Sequence, residues 1–295
     1  MALSQAPLTD VTVTITSDNT AVTIDGPDSD ATFSSSETLT FTTTDYATTQ
    51  DVRYQAPADD DATGEEVTLT HTAAGVTPGT RSGYDGVTAT QTIRVTDDDE
   101  PGITLSETTA LAVREENASP VTYTVVLDTE PTADVTVTVT APAGLEIDDN
   151  NDNDFGTTET LTFAGGSSGN WDTAQTIRVN ALADDNVAPE TTAITHVVTS
   201  TDTAYNAVGD ESLTVNVTDS DTAAIVLATT TLTITEGGSD TYTVKLSNEP
   251  SAEVTVTITS PADDDVTIST DGSTFSNHPN TPNTCLLYTS PSPRD

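Results

Sequence analysis

Carboxylates are the groups in this chain with chemistry to offer, and they come in runs. Asp59-Asp60-Asp61 is followed by Glu65, and Asp97-Asp98-Asp99-Glu100 runs into a Pro-Gly break. Further on lie Glu115-Glu116, an Asp/Asn-rich run ending at Asp154, Asp184-Asp185, Asp219-Ser220-Asp221 and Glu236. Asp28 and Asp30 form a looser pair near the start. Carboxylates held close together repel, and they either bind protons more tightly than usual or recruit a cation. Calcium suits them best, since it takes about 6–8 oxygen ligands, tolerates irregular geometry and accepts mixed carboxylate, amide and backbone donors. Magnesium demands a stricter octahedron. Zinc, iron and copper favour imidazole or thiolate, and the chain holds only 3 His and 1 Cys.

The acids outnumber the bases 48 to 7, for a net charge of −41. Nucleic acid and anionic membrane surfaces need clustered Lys and Arg, so cations are the natural counter-partners. No apolar run reaches the length of a membrane span. Met1-Ala2-Leu3-Ser4-Gln5 has neither the basic start nor the apolar core of a signal peptide.

Something must hold these acids in place, and the pattern between them is that of strands. Apolar residues recur with period two in short runs, with threonine between them, which is β-branched and polar enough to face water. The runs repeat. Asp10-Val11-Thr12-Val13-Thr14-Ile15-Thr16 matches Asp134 to Thr140 and Glu253 to Thr259, at spacings of 124 and 119 residues. Thr38-Leu39-Thr40-Phe41 matches Thr160-Leu161-Thr162-Phe163. The expected organisation is a partial repeat over 1–100 lacking its first strands, a complete repeat over 101–222, and the N-terminal part of a third over 223–284. The chain thus reads as a fragment at both ends. The stretch 285–295, from Cys285 to Asp295, departs from everything before it and resembles a translated sequencing adapter; it is set apart from the fold. Without it no cysteine remains, as suits an exported protein that needs no disulfides.

In the complete repeat, seven strands are expected at about 103–113, 121–127, 134–140, 159–163, 174–181, 192–199 and 211–218, the first open to a break. Seven short alternating strands in this length predict an all-β, immunoglobulin-like two-sheet sandwich. Val135, Val137, Val139, Leu161, Phe163, Ile177, Val179, Val215 and Val217 are expected to point inward. Strands that alternate in direction put every second connection at the same end. Counted so, eleven acids of the complete repeat gather at one end against five at the other: Glu115 and Glu116, four in the run 148–154, Asp184 and Asp185 with Glu190, and Asp219 and Asp221. The first repeat repeats the bias with Asp25, Asp28 and Asp30, then Asp59, Asp60, Asp61, Glu65 and Glu66, then Asp97, Asp98 and Asp99.

At these phrases the chain resembles a known family. Val95-Thr96-Asp97-Asp98-Asp99-Glu100-Pro101-Gly102-Ile103 is similar to the junction of tandem Calx-beta domains. Leu232-Thr233-Ile234-Thr235-Glu236-Gly237-Gly238 resembles their opening strand and Glu-Gly-Gly loop, and Trp171 to Val179 with Ala183-Asp184-Asp185 their fifth strand and acidic loop. The resemblance implies calcium bound at one end of the sandwich. It places ligands at Glu115 and Glu236 in the first loop, Asp154 in the second, Asp59, Asp60, Asp184 and Asp185 in the third, and Asp97 to Asp99 at the exit. The second copy departs from the pattern: its exit reads Asp-Ser-Asp, its third loop Asp-Asp-Asn, and Arg114 precedes Glu115. The first seam is therefore expected to be the stronger calcium site.

Simpler readings stand beside this one. Asp and Asn favour turns for local reasons. High acidity with one lysine suits a halophile, although that reading expects acids on strand faces, where threonine stands instead. His71 and His196 sit at matching places in two repeats, each with a tyrosine (Tyr84, Tyr205) further on, which points to a structural role. No nucleophile elbow, phosphate loop or His cluster appears, so no enzyme is expected. The expectation is a calcium-stiffened stalk or spacer of an extracellular bacterial surface protein, with neighbouring repeats as partners. The alternative is an adhesive module that binds a glycan or partner protein through its loops.

Overall fold

The computed structural model describes residues 1–27, 32–75, 83–117, 119–149, 153–259, 266–269 and 283–286. The first unit contains β1 (Val11–Ser17), β2 (Thr23–Asp25), β3 (Ser36–Phe41), β4 (Arg53–Gln55), β5 (Glu66–Gly75) and β6 (Thr88–Arg94). The second contains β7 (Ile103–Leu105), β8 (Ala110–Arg114), β9 (Val121–Leu127), β10 (Val135–Thr140), β11 (Leu145–Asp148), β12 (Thr158–Phe163), β13 (Gln175–Ala181), β14 (Glu190–Ser200) and β15 (Glu211–Thr218). In the third are β16 (Ile225–Leu227), β17 (Val244–Leu246), β18 (Thr255–Ile258) and β19 (Asn283–Leu286).

The second unit is a two-sheet sandwich. One sheet runs β12-β10-β14-β15-β8, the other β11-β13-β9-β7. All pairs are antiparallel except β8 on β15. The opening strand is split, as the sequence allowed: β7 joins one sheet and β8 the other. Alternation decides the core. In Val135–Thr140 every valine is buried and the threonines between are partly or fully exposed. All nine residues expected to point inward are at most 5% exposed, and each such aliphatic side chain contributes about 1.5–3 kcal/mol. Tyr123, Leu111, Leu145 and Ile194 complete that core, and Trp171 packs against its edge.

In the first unit the sheet β3-β1-β5-β6 faces the short pair β2-β4 over a smaller core of Val11, Val13, Ile15, Ile24, Leu39, Phe41, Val67 and Leu69. The two units share their registers: Val13 opposes Leu39 as Val137 opposes Leu161, and Ile15 opposes His71 as Val139 opposes His196. In the third, β16 pairs with β17 and β18 with β19. Strand β19 takes in Cys285 and Leu286 of the stretch set apart in the sequence.

One element differs from expectation and moves several acids. The seven-strand reading passes over β11. The chain leaves β10, turns at Gly144 with φ +90°, and enters the opposite sheet as Leu145–Asp148. There it runs antiparallel to β13, with Leu145 opposite Ala181 and Asp148 opposite Arg178. It therefore heads away from the end at which β10 finished. The hairpin closes where Ile147 bridges Gly156. Asp148, Asp149 and Asp154 thus belong to a hairpin down the side of the sandwich. The physical reason is burial: Leu145 and Ile147 need a sheet partner, and that need outweighs the turn character of the acids after them.

Candidate metal centre

Asp148 shows what burial does to one of these acids. It is 1% exposed and forms an ion pair with Arg178 at 2.5 Å. Asn153 closes the hairpin over it, its N–H donating to Asp148 and its side-chain oxygen accepting from Arg178. Asn153 has φ +67°, a left-handed conformation that asparagine tolerates. The Arg178 guanidinium lies 5.1 Å from the Phe155 ring centre. The first unit repeats the device: buried Asp25 pairs with Arg53, which lies over Phe33 at 5.9 Å. Both acids are structural anchors. A sequence signal existed, because Ile-Asp before a phenylalanine, with an arginine further on at β4 or β13, occurs in both copies.

Among the described residues, two groups of acids converge. At the first seam, carboxylate oxygens of Asp59, Asp61 and Asp97 lie within 4.8 Å of one another. Asp59 and Asp97, with Glu65, Asp98 and Asp99, line a cavity of about 250 Å³. At the end of the second sandwich the group is Glu115, Asp184 and Glu190, under the same limit. Strand geometry sets the second group. The residues Glu115 and Ala181 form a parallel bridge, which fixes the end of β8 beside the end of β13 and so beside Asp184. Glu190 opens β14 from the same end. Arg114 and Glu115 face opposite ways, as neighbours in a strand do: Arg114 is exposed and Glu115 is 3% exposed. The expected cation beside the ligand is therefore turned outward.

The electrostatics follow the geometry. Burial pushes the Glu115 carboxyl above its ordinary range, and Asp184, Asp219 and Glu190 push it further; the Ser220 N–H, donating at 3.4 Å, acts the other way. Glu65 is raised by burial and by Asp59, Asp61 and Asp97. Asp99 is raised by loss of solvent and by Asp97, Asp98, Asp59 and Asp60. Several of the aspartates also make local turns. Asp97 accepts the Asp99 N–H at 2.8 Å, Asp219 that of Asp221 at 2.6 Å, Asp61 that of Thr63 at 2.7 Å and Asp184 that of Asn186 at 2.8 Å. These are the i to i+2 bonds that make Asp a turn residue, and each uses one oxygen. The second oxygen of Asp219 is buried and has no hydrogen-bond partner among the described residues. An orphaned buried carboxylate oxygen beside the raised Glu115 fits a hard, oxygen-preferring cation.

The expected ligands thus divide. Asp59, Asp61, Asp97, Glu115 and Asp184 enter the two converging groups; Glu65, Asp99 and Asp219 act on them electrostatically. Asp60 and Asp98 act on Asp99. Asp185 and Asp221 lie in the same loops without joining a group, and Asp154 lies in the side hairpin. Glu236 is exposed and belongs to neither group. Asp28 and Asp30 lie outside the described residues. Glu190, one of the end acids, joins the second group although the expected ligand set lacks it; its counterpart Glu65, at the matching place before β5, is the sequence signal for it.

His71, His196, Tyr84 and Tyr205 make structural contacts. His196 is buried, its Nε2 is 2.8 Å from the Tyr123 hydroxyl, and burial lowers its pKa. His71 sits 3.3 Å from the Ala89 carbonyl. The Tyr205 hydroxyl donates to the Thr129 carbonyl at 2.7 Å and accepts the Thr129 N–H at 3.0 Å. Tyr84 does the same with Gln5, both at 2.8 Å. Such a tyrosine corner is a feature of immunoglobulin-like sandwiches.

No family model matches the chain, and no curated protein matches it. The crystal structure of the S-layer protein rSbsC(31-844) is similar at 16% identity and a TM-score of 0.30, over 73% of this chain and 21% of that one. The chain thus spans about a fifth of that structure's length. The crystal structure of CBD12 from CALX1.2 is similar at 13% identity and a TM-score of 0.27, over 71% of this chain and 87% of that one. The assignment to all-β sandwiches is carried by the chain's own strand pairing.

Proposed function

We propose that this chain is a stretch of calcium-binding spacer repeats from an extracellular surface or secreted protein, and that its role is structural. The observation that carries the reading is the end of the second sandwich. Buried Glu115 meets Asp184 and Glu190 there, beside the unpartnered oxygen of Asp219. Bound calcium supplies the positive charge that offsets this repulsion. The chain's own residues do the rest. Glu115 is held by β8, Glu190 by β14, Asp184 by the loop after β13 and Asp219 by the exit after β15, so closing the group ties four connections together. Asp219 also begins the passage to the third unit, as Asp97 begins the passage to the second. Order at the cation group and order at the seam therefore go together.

The energetics are those of linkage. An ion that binds only the ordered end stabilises it by about 2.7 kcal/mol at a hundredfold excess over Kd. Calorimetric titration of the full chain with calcium, alongside thermal melts with and without chelator, tests the reading. Heat of binding and a raised Tm are expected. No heat, and melting unchanged by chelator at moderate salt, overturn it.

A further inference from the structure

The acidic loops after β4 and β13 each have a second partner that the cation reading does not use. At the first seam the Glu130 N–H donates to the Asp60 carbonyl at 2.6 Å. At the second seam the Glu249 N–H donates to the Asp185 carbonyl at 2.6 Å. The two contacts match position for position. Each donor is the Glu of a Glu-Pro turn that follows a strand of the incoming unit. Each acceptor is the second Asp of the outgoing unit's acidic loop. The loop sequences differ, Asp-Asp-Asp against Asp-Asp-Asn, so what recurs is a backbone contact. At the first seam it extends to a parallel bridge between Asp61 and Glu130.

The donor turn is rigid before it docks. Within its own unit, the Thr129 N–H is taken by the Tyr205 hydroxyl and the Thr132 N–H by Asp202. The Pro131 carbonyl accepts the Gly166 N–H, and Pro131 has no N–H to give. The Glu130 N–H alone is directed to the neighbouring unit. The third unit seats its turn in the same way: Ser247 N–H bonds the Ala224 carbonyl as Asp128 N–H bonds that of Gly102.

We propose that the acidic loop of each unit is the docking socket for the next, and that the Glu-Pro turn is the plug. The partner is the following repeat of the same chain. The contact is head-to-tail, with different surfaces on its two sides, so it propagates without closing and gives an array one repeated inter-unit geometry. It engages the backbone carbonyl of the middle residue and leaves the carboxylates of Asp59 and Asp61 at the first seam, and of Asp184 at the second, to the acid groups. The clasp is therefore present without a cation.

The test uses the full chain in chelator. Amide exchange followed by NMR is expected to show Glu130 and Glu249 at least tenfold slower than unprotected amides. In small-angle scattering, the double variant Glu130→Pro with Glu249→Pro, which lacks both donors, is expected to show a broadened distance distribution. The double variant Glu130→Ala with Glu249→Ala keeps both N–H groups and is expected to match the parent. Unprotected Glu130 and Glu249 amides overturn the proposal, and so does a proline variant that scatters like the alanine variant. The exchange measurement needs no substitution and decides the matter even if the proline variant misfolds. Calcium titration of the same chain reads the cation proposal separately.

Discussion

The two acid groups occupy the same end of their units and are built differently. The first is a loop-and-exit group: Asp59 and Asp61 from one loop, Asp97 from the exit, beside an open cavity. The second is anchored by strands: Glu115 from the end of β8 and Glu190 from the start of β14 flank Asp184. Where the first has Asp61 as a carboxylate, the second has Asn186, whose side-chain amide donates to Asp184 at 2.6 Å. The lost carboxylate is offset by Glu115, which is 3% exposed. A cation seat can thus keep its place while its donors move from a loop to strand ends. The strand-built version starts with more of its ordering cost already met, because β8 and β14 are fixed by the core.

The largest effect expected concerns the anchors beneath these groups. Arg178 is 15% exposed on its side chain and Arg53 is 45%. Breaking a buried ion pair by removing one partner costs about 3–5 kcal/mol. Arg178→Ala is expected to approach that cost, and Arg53→Ala to fall well below it. Trp171 is the only tryptophan, so its fluorescence in denaturant reads the second unit, while amide exchange reads the first. Equal losses at both sites would break the comparison.

Next in size is the cation itself. At a hundredfold excess over Kd, calcium is expected to stabilise the second unit by about 2.7 kcal/mol, read by Trp171 melting. Glu115→Gln is expected to remove most of that gain and leave the first group's response intact; Asp97→Asn should do the reverse. Loss of both responses on either change would mean one shared site.

Tyr205→Phe comes third. It leaves the buried Thr129 N–H without its partner, which costs about 1–3 kcal/mol. The matching Tyr84→Phe is expected to cost less, because its partner Gln5 is exposed. The smallest effect is on pH dependence. Glu65, Asp99 and Glu115 are raised above their ordinary values of 4.5, 3.8 and 4.5. A raised acid stabilises the fold below its ordinary pKa, and that contribution is lost as pH rises through the folded value. Calcium binds the deprotonated groups, so its stabilisation grows over the same range. The gap in Tm between calcium-loaded and chelated chain is expected to widen from about pH 4 upward, and a constant gap would remove these acids from the site.

The strands, their inward faces and the repeat were legible because alternation of valine and threonine is a local property. Matching positions of Asp59 and Asp184, or of Asp97 and Asp219, followed from the repeat alone. Only the tertiary structure decided which acids meet. Leu145 and Ile147 could reveal themselves as a strand only through pairing with Val179 and Ala181, residues more than thirty positions away. That pairing reversed the chain and turned Asp148 from a loop acid into the buried partner of Arg178. Likewise Glu115 became central because a parallel pairing of β8 with β15 set it beside the exit at Asp219. Sequence determines which residues can face inward, because that depends on period. Which carboxylates share a site depends on sheet order and strand direction, which are long-range contacts that period does not contain.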